Sequence, residues 1–339
     1  MATIALPYRG SDAGGESGIK RAFKLCKALK SNHITSAKAA GIKLADPEDP
    51  VTWNTISTQR KAVRNERTED ESFQRLGLKS IDQWDIRELN SCPGGLVIRN
   101  PFTHEGQERW IKQALLSYPR QEQQVSNLDN HWSYPKSRED VDWWTSSLCD
   151  RKKKSSKTVV SFAPIWNLRW ITLGYHHDWD TKVYSEAKKT PFPADVSELC
   201  CAIAEAAGFP NFSPEAAIVN YYHLDSTLSA HRDVSEPYQE APLISVSFGQ
   251  PAFFLIGQRS DVWPDAVVVR SGDVFIMSGE SRLAFHAVPK IFQDQASSSA
   301  IPLIAHEDRQ LSEKVREYLS YSRINFNVRQ VLPPGRTSL

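Results

Sequence analysis

From residue 216 the sequence reads Ala216-Ala-Ile-Val-Asn-Tyr-Tyr222, Thr227-Leu-Ser-Ala-His231, Pro242-Leu-Ile-Ser-Val-Ser-Phe248, Ala252-Phe-Phe-Leu-Ile256, Ala266-Val-Val-Val-Arg270, Asp273-Val-Phe-Ile-Met277 and Leu283-Ala-Phe-His-Ala-Val288. Each segment is short, rich in β-branched and aromatic residues, and fenced from the next by Gly, Pro, Asp or Ser. A series of strands at this spacing predicts a sandwich, barrel or jelly roll. A polar break at 293–299 and a helix carrying Leu311, Val315 and Leu319 lead to a last strand from Arg323 to Val331.

That last strand alternates with period two. Ile324, Phe326 and Val328 fall on one face, and Arg323, Asn325, Asn327 and Arg329 on the other. Two Arg and two Asn turned into a sheet protein are costly to bury unless an anion meets them, and the fixed fork of Arg donors suits carboxylates. About 20 Å of strand lets the two Arg bracket a small dicarboxylate. A solvated outer face is the competing reading.

His-x-Asp sets two metal ligands on one side of a strand and opens the 2-His-1-carboxylate arrangement of non-haem Fe(II). It occurs at His176/Asp178, His223/Asp225, His231/Asp233 and His306/Asp308. The first lies in an aromatic turn, the second in a turn with Ser226 and Thr227, and the last in a polar loop. His231/Asp233 ends a predicted strand, and His286 in Ser281-Arg-Leu-Ala-Phe-His286 offers a third ligand downstream.

Upstream of the strands the chain is helical and unevenly charged. Seven basic residues (Lys20, Arg21, Lys24, Lys27, Lys30, Lys38, Lys43) and no acidic one lie between Glu16 and Asp46. Over Ile19–Leu29 the residues Phe23, Cys26 and Leu29 oppose lysines, which suits a presequence, a phosphate-contacting helix or a solvated face. Residues 46–90 read as linker. Trp110, Ile111, Ala114, Leu115 and Tyr118 give an amphipathic helix stopped by Pro119, Ser137-x-x-Asp140 resembles a capping box, and Asp195-x-x-Glu198 opens a helix that ends at Gly208. A second basic run comprises Arg151, Lys152, Lys153, Lys154 and Lys157.

Composition narrows the class. The 339 residues carry 41 Lys and Arg against 40 Asp and Glu, so no global field draws the chain to nucleic acid or membrane, and any basic surface is local. No apolar run nears the roughly 18 residues of a membrane helix, so a soluble chain is expected. Five Cys, an odd number with no C-x-x-C pair, point to a reducing intracellular compartment and against a zinc knuckle.

Several of these motifs together resemble a known family. Asn220-Tyr-Tyr222, Leu228-Ser-Ala-His231-Arg-Asp233, Ala241-Pro-Leu-Ile-Ser-Val-Ser-Phe-Gly249, Ser271-Gly-Asp-Val274, Gly279-Glu-Ser-Arg-Leu-Ala-Phe-His286 and Arg323-x-Asn325-x-x-x-Arg329 are similar, in order, to the AlkB family of Fe(II)/2-oxoglutarate dioxygenases over roughly 190–332. Ser126-Asn-Leu-Asp129 and Leu168-Arg-Trp-Ile-Thr-Leu-Gly-Tyr175 with Trp179-Asp180 resemble its homologue-one branch and extend the likeness to about residue 90. Residues 1–45 lie outside it.

The resemblance implies an α+β chain with a double-stranded β-helix (jelly roll) flanked by helices and preceded by a basic helical extension. Residues 1–90 would be the arm and linker, 91–190 a substrate-recognition segment, and 191–335 the dioxygenase core. His231, Asp233 and His286 would hold Fe(II), and Asn220, Tyr222, Arg323, Asn325 and Arg329 would surround 2-oxoglutarate, with O2 as second co-substrate. The implied reaction hydroxylates an N-methyl group on a base of nucleic acid, releasing formaldehyde, succinate and CO2. Ser235 stands where the bacterial repair enzyme has a second Asp, and Trp144, Trp170 and Tyr175 are the aromatics available to stack on a flipped base. The expected substrate is methyladenine in tRNA or in single-stranded or unpaired DNA, acted on by a monomer in nucleus, mitochondrion or cytoplasm. A protein or small-molecule hydroxylase would share the iron site without needing the basic elements. A non-catalytic nucleic-acid-binding protein would keep those elements and could lose a ligand.

Overall fold

The computed structural model describes residues 17–64, 70–129, 132–133, 137–145, 149–150, 163–293, 302 and 304–339. The basic run Arg151 to Lys157 lies outside the described residues. Strands in chain order are β1 (Leu44–Ala45), β2 (Ser57–Arg60), β3 (Asp85–Leu89), β4 (Gly95–Arg99), β5 (Val125–Ser126), β6 (Trp132–Ser133), β7 (Cys149–Asp150), β8 (Trp170–Gly174) and β9 (Ala216–His223). They continue as β10 (Leu228–His231), β11 (Leu243–Gly249), β12 (Ala252–Gly257), β13 (Asp265–Val269), β14 (Val274–Met277), β15 (Phe285–Ile291) and β16 (Ser322–Arg329).

Every segment of the predicted series is a strand, and the chain passes back and forth between two sheets. The larger has the order β2-β3-β4-β14-β11-β16-β9-β8-β5 and the smaller β1-β13-β12-β15-β10. Taken alone, β14-β11-β16-β9 and β13-β12-β15-β10 are the two four-stranded antiparallel faces of a double-stranded β-helix. Residues upstream extend the larger face at both edges.

β16 is central to the larger sheet, paired with β9 on one side and β11 on the other. Its apolar face, Ile324, Phe326 and Val328, enters the main core with the helices His104–Lys112, Ala194–Ala206 and Arg309–Tyr321. Phe326 meets Trp110, Tyr118 and Phe248 edge-on, with centroids 6.5, 6.2 and 6.0 Å away. The helix that seats Trp110 approaches the turn at Gly77 so closely that a Cβ on Gly106 would fall 1.9 Å from the Gly77 carbonyl oxygen.

The basic N-terminal stretch is part of this fold. Helix α1 (Gly18–Ala28) lies on the outer face of the smaller sheet, burying Ile19, Ala22 and Cys26 against Phe253, Leu255, Ala266, Val268 and Ala287. The buried stripe begins a turn earlier than the expected Phe23, Cys26 and Leu29, of which Phe23 and Leu29 are only partly covered. The small Ala22 lets the helix sit close, a role its modest hydropathy conceals. Lys20, Lys24 and Lys27 remain exposed.

Two capping expectations turn out differently. Ser137 accepts from the Asp140 backbone N–H at 3.2 Å, yet turns follow and not a helix. Arg138 is buried there, its guanidinium donating to the Pro119 and Gln124 carbonyls, so the segment plugs a loop junction. Asp195 sits inside the first turn of its helix and accepts from Gln113 Nε2 and Tyr118 Oη, a tertiary tie in place of a cap. Among the described residues no helix is long and apolar enough to cross a membrane.

Phe326→Ala removes a large side chain from the packed face of the central strand, and we expect a loss of about 3–5 kcal/mol. Denaturant unfolding monitored by tryptophan fluorescence measures it, and a loss under about 1 kcal/mol would mean the site collapses around the deletion.

Candidate metal centre and its polar cavity

β10 and β15 run antiparallel with His231 and His286 as direct cross-strand partners. Their ring centroids are 4.2 Å apart. Asp233 lies two residues on, past the strand end, with Oδ1 3.7 Å from His231 Nε2 and Oδ2 3.9 Å from His286 Nε2. Ligand atoms of the three residues lie within 4.8 Å of one another, the one such group of metal-binding side chains among the described residues. Each His donates its Nδ1–H to a backbone carbonyl two residues back, His231 to Ser229 at 2.8 Å and His286 to Ala284 at 3.2 Å. A carbonyl only accepts, so both rings keep a proton on Nδ1 and the neutral ring leaves its Nε2 lone pair for a metal.

Charge states agree with this. Burial pushes His286 down to about 4, keeping the imidazole neutral. Burial works to raise Asp233, but Arg329 and the two His outweigh it and hold the carboxyl well below the usual range. Neutral imidazoles and an ionised carboxylate are the forms that bind a metal. Arg329, at the end of β16, donates Nη2 to Asp233 Oδ2 at 2.8 Å.

The polar face of β16 lines a narrow cavity that reaches His286 and contains Asn220, Tyr222, Arg323, Asn325 and Asn327. Asn325 donates to Ser245 Oγ at 2.8 Å. Arg323 is 4% exposed, donates to Ser247 Oγ at 2.6 Å and has no ion pair to an acid among the described residues. Burial lowers its guanidinium to about 10. Arg323 Nε, Asn327 Oδ1 and Arg329 Nε and Nη1 are buried with no hydrogen-bond partner among the described residues. Unpaired guanidinium N–H groups beside a His-Asp-His cluster fit a divalent metal chelated by a small dicarboxylate.

The other His-x-Asp pairs have structural roles. His176 is buried between Thr172 Oγ1 (2.7 Å) and Thr190 Oγ1 (3.0 Å), and Asp178 accepts from the Asp180 and Thr181 N–H groups of a turn. His223 meets Ser322 Oγ and the Trp166 carbonyl. Asp308 caps the helix Arg309–Tyr321 and donates its own N–H to His306 Nδ1.

Of the four substrate candidates, only Trp170 lies on the cavity's strand neighbourhood, directly across β8 and β9 from Asn220. Trp144 is buried and packed edge-on against Tyr318, and Tyr175 donates to Glu186 with Lys189 Nζ 4.2 Å over its ring. Neither offers an open ring face, which corrects their candidacy as stacking platforms. Ser235 is half-buried and makes no side-chain hydrogen bond among the described residues. The residues that reading the sequence missed are Tyr184, Glu236 and Arg282. Glu236 is three positions past Asp233 and Arg282 four before His286, so proximity to the ligands was the available signal.

Arg323→Ala removes the cation with no protein counter-ion. We expect the apparent 2-oxoglutarate affinity to fall by about 2 kcal/mol or more, roughly 30-fold, read by calorimetric titration. An unchanged affinity would mean this face takes no carboxylate.

Comparison with known proteins agrees with the geometry. The family described as 2OG-Fe(II) oxygenase superfamily matches residues 94–329, a span that includes the cluster and the cavity. "Nucleic acid dioxygenase ALKBH1" of Mus musculus is 39% identical over 286 residues, covering 78% of this chain and 70% of its own. "tRNA demethylase abh1" of Schizosaccharomyces pombe is 35% identical, covering 73% of this chain and 82% of its own. "DNA N(6)-methyladenine demethylase ALKBH1A" of Arabidopsis thaliana is 30% identical, covering 76% and 80% respectively. With the jelly roll, the His-Asp-His cluster and these identities in agreement, the chain belongs to the Fe(II)/2-oxoglutarate dioxygenases of the AlkB family, on its ALKBH1 branch.

Proposed function

We propose that this dioxygenase oxidatively demethylates methyladenine in nucleic acid, with tRNA as the first substrate to test and unpaired DNA as the second. The observation that carries the reading is the likeness, over 73–78% of this chain, to relatives named for nucleic-acid substrates, beside a family match over residues 94–329 that includes the metal cluster. His231, Asp233 and His286 would hold the iron, and Arg323, Asn325, Asn220, Tyr222 and Arg329 would hold 2-oxoglutarate. The bound iron and co-substrate supply oxidative hydroxylation of the N-methyl carbon, with succinate, CO2 and finally formaldehyde as products. The chain's own part is to fix two imidazole tautomers, keep one carboxylate ionised and supply guanidinium donors away from bulk water.

Two further features support a base as substrate. A short hairpin pairs His177 with Tyr184, tightened by Asp178 and by Lys182 in a left-handed conformation (φ 61°). It presents Trp179, 40% exposed and 5.3 Å from Trp170. Lys182 Nζ lies 5.7 Å from the centroid of that indole and His177 meets it edge-on at 4.8 Å, so the exposed part is an aromatic rim beside a cation, which suits an unpaired base and its phosphate. On the outer face of the smaller sheet, α1 carries Lys20, Lys24 and Lys27, which suit phosphates flanking the target.

The decisive assay incubates iron-loaded protein with methyladenine-containing tRNA, single-stranded DNA and bubble DNA, scoring formaldehyde and lost methyl together. We expect stoichiometric release from at least one of them. Oxidation of a peptide or small molecule with none from nucleic acid would overturn the reading.

Replacing Lys20, Lys24 and Lys27 together by Gln should flatten log K against log salt by about 0.7 per lost phosphate contact on single strands and about 0.9 on duplex. Uncoupled 2-oxoglutarate decarboxylation should stay at the wild-type level, because these side chains lie outside the cavity. A slope that does not move would leave this helix face as solvated surface.

A further inference from the structure

The charges around Asp233 form a closed set. Its Oδ2 accepts from Arg329 Nη2 at 2.8 Å, and its backbone carbonyl accepts from Arg282 Nη1 at 2.8 Å. Both guanidiniums then meet Glu236. Arg282 Nη2 donates to Oε2 at 3.0 Å, while Arg329 Nε lies 3.2 Å from Oε1, close enough for an ion pair though not angled as a hydrogen bond. Tyr184 donates its hydroxyl to the same Oε1 at 2.8 Å, and Arg282 Nε donates to the Ala241 carbonyl at 3.1 Å. Exposure is 3% for Glu236, 2% for Arg282 and 4% for Arg329, so water screens none of these pairs well.

The arithmetic of this set decides its use. The two Arg and two carboxylates around Asp233 sum to zero, so a divalent cation meets a neutral set, and the dicarboxylate that follows meets the further buried cation Arg323. Without Glu236, Asp233 alone would face two buried guanidiniums, and a metal ion would bind against a surplus positive charge. Nothing else in the set can replace that charge, since Tyr184 is neutral and its hydroxyl is pushed upward by burial.

We propose that Glu236 is the positioning residue of the metal centre: its buried carboxylate holds Arg282 on the backbone carbonyl and Arg329 on the carboxylate of Asp233, and supplies the negative charge that lets a divalent cation bind beside them. This rests on reading His231, Asp233 and His286 as the metal ligands. Glu236 itself acts only through its neighbours.

Glu236→Gln keeps the size and one acceptor oxygen but deletes the charge. The surplus positive charge then repels a cation and attracts a dianion, so the two affinities should move in opposite directions. Mn(II), a redox-inert stand-in, is titrated calorimetrically into wild type and variant, and 2-oxoglutarate is titrated into each at saturating Mn(II). We expect the Mn(II) Kd to rise at least tenfold while the 2-oxoglutarate Kd stays level or falls. A merely structural role would weaken both, and that result, or no change in either, overturns the proposal. Glu236→Gln with Arg282→Gln restores the charge sum and should recover most of the Mn(II) affinity. It also serves if the single variant does not fold, and a folded double variant still tenfold weaker for Mn(II) counts against the charge argument. Tyr184→Phe removes one hydrogen bond and no charge, and should leave Mn(II) affinity within about twofold. Wild type that binds no Mn(II) would instead overturn the metal reading beneath the proposal.

Discussion

The centre depends on the pairing of β10 with β15, which sets His231 opposite His286 across two antiparallel strands. Side chains alternate faces along a strand, so a slip of one residue would send one imidazole out of the jelly roll. The pairing shifts register between Leu228 and His231, a local irregularity of the kind that re-aims a side chain at a sheet edge. β10 is an edge strand, and the chain leaves it right after His231, which frees Asp233 to turn back toward both rings. The opposite sheet then sends Arg329 across to the Asp233 carboxylate. Metal ligands thus come from the smaller sheet and their cationic support from the larger one, so the centre exists only when the two sheets pack.

Much of this was legible in the sequence because strand alternation is a short-range signal. The period-two pattern of β16 set Ile324, Phe326 and Val328 against Arg323, Asn325, Asn327 and Arg329, and the structure places the first set in the core, with Arg323, Asn325 and Asn327 lining the cavity. Choosing His231/Asp233 over three similar pairs needed local context together with a distant third His at 286, and in the structure each of the others sits where a turn, a core pocket or a helix cap uses it. Tertiary partners were what local reading could not supply. Glu236 looks like one more acidic loop residue until Arg282, Arg329 and Tyr184 arrive from distant segments. Sequence alone leaves Trp144 and Tyr175 open as core residues or stacking platforms, and the contacts with Tyr318, Glu186 and Lys189 place them in the packing. The basic composition of α1 concealed a stripe that docks on the smaller sheet.

The two Arg of β16 share a strand face and differ in what they face. Arg329 is already engaged by Asp233 and Glu236; burial works to lower its guanidinium, and the neighbouring acids outweigh that and hold it charged. Arg323 has a hydroxyl and a distant carbonyl for partners, and burial works against its charge. A dicarboxylate entering the cavity therefore gains most where Arg323 lacks a counter-ion, while Arg329 offers only the donors that Asp233 and Glu236 leave over.

That asymmetry bears on stability as well as on binding. A buried polar atom without a partner costs about 1–3 kcal/mol, more when it carries charge, and three such atoms, Arg323 Nε, Asn327 Oδ1 and Arg329 Nη1, lie on one face of the central strand. The opposite face of the same strand is packed aromatic core. The strand can carry that polar face because its other side and both neighbouring strands hold it in place. Any ligand that satisfies those atoms binds the folded chain alone, so its affinity adds to folding free energy by mass action. A cavity built this way selects for carboxylates more sharply than one lined with satisfied groups, because an uncharged molecule of the same shape would leave the Arg323 charge buried and unanswered.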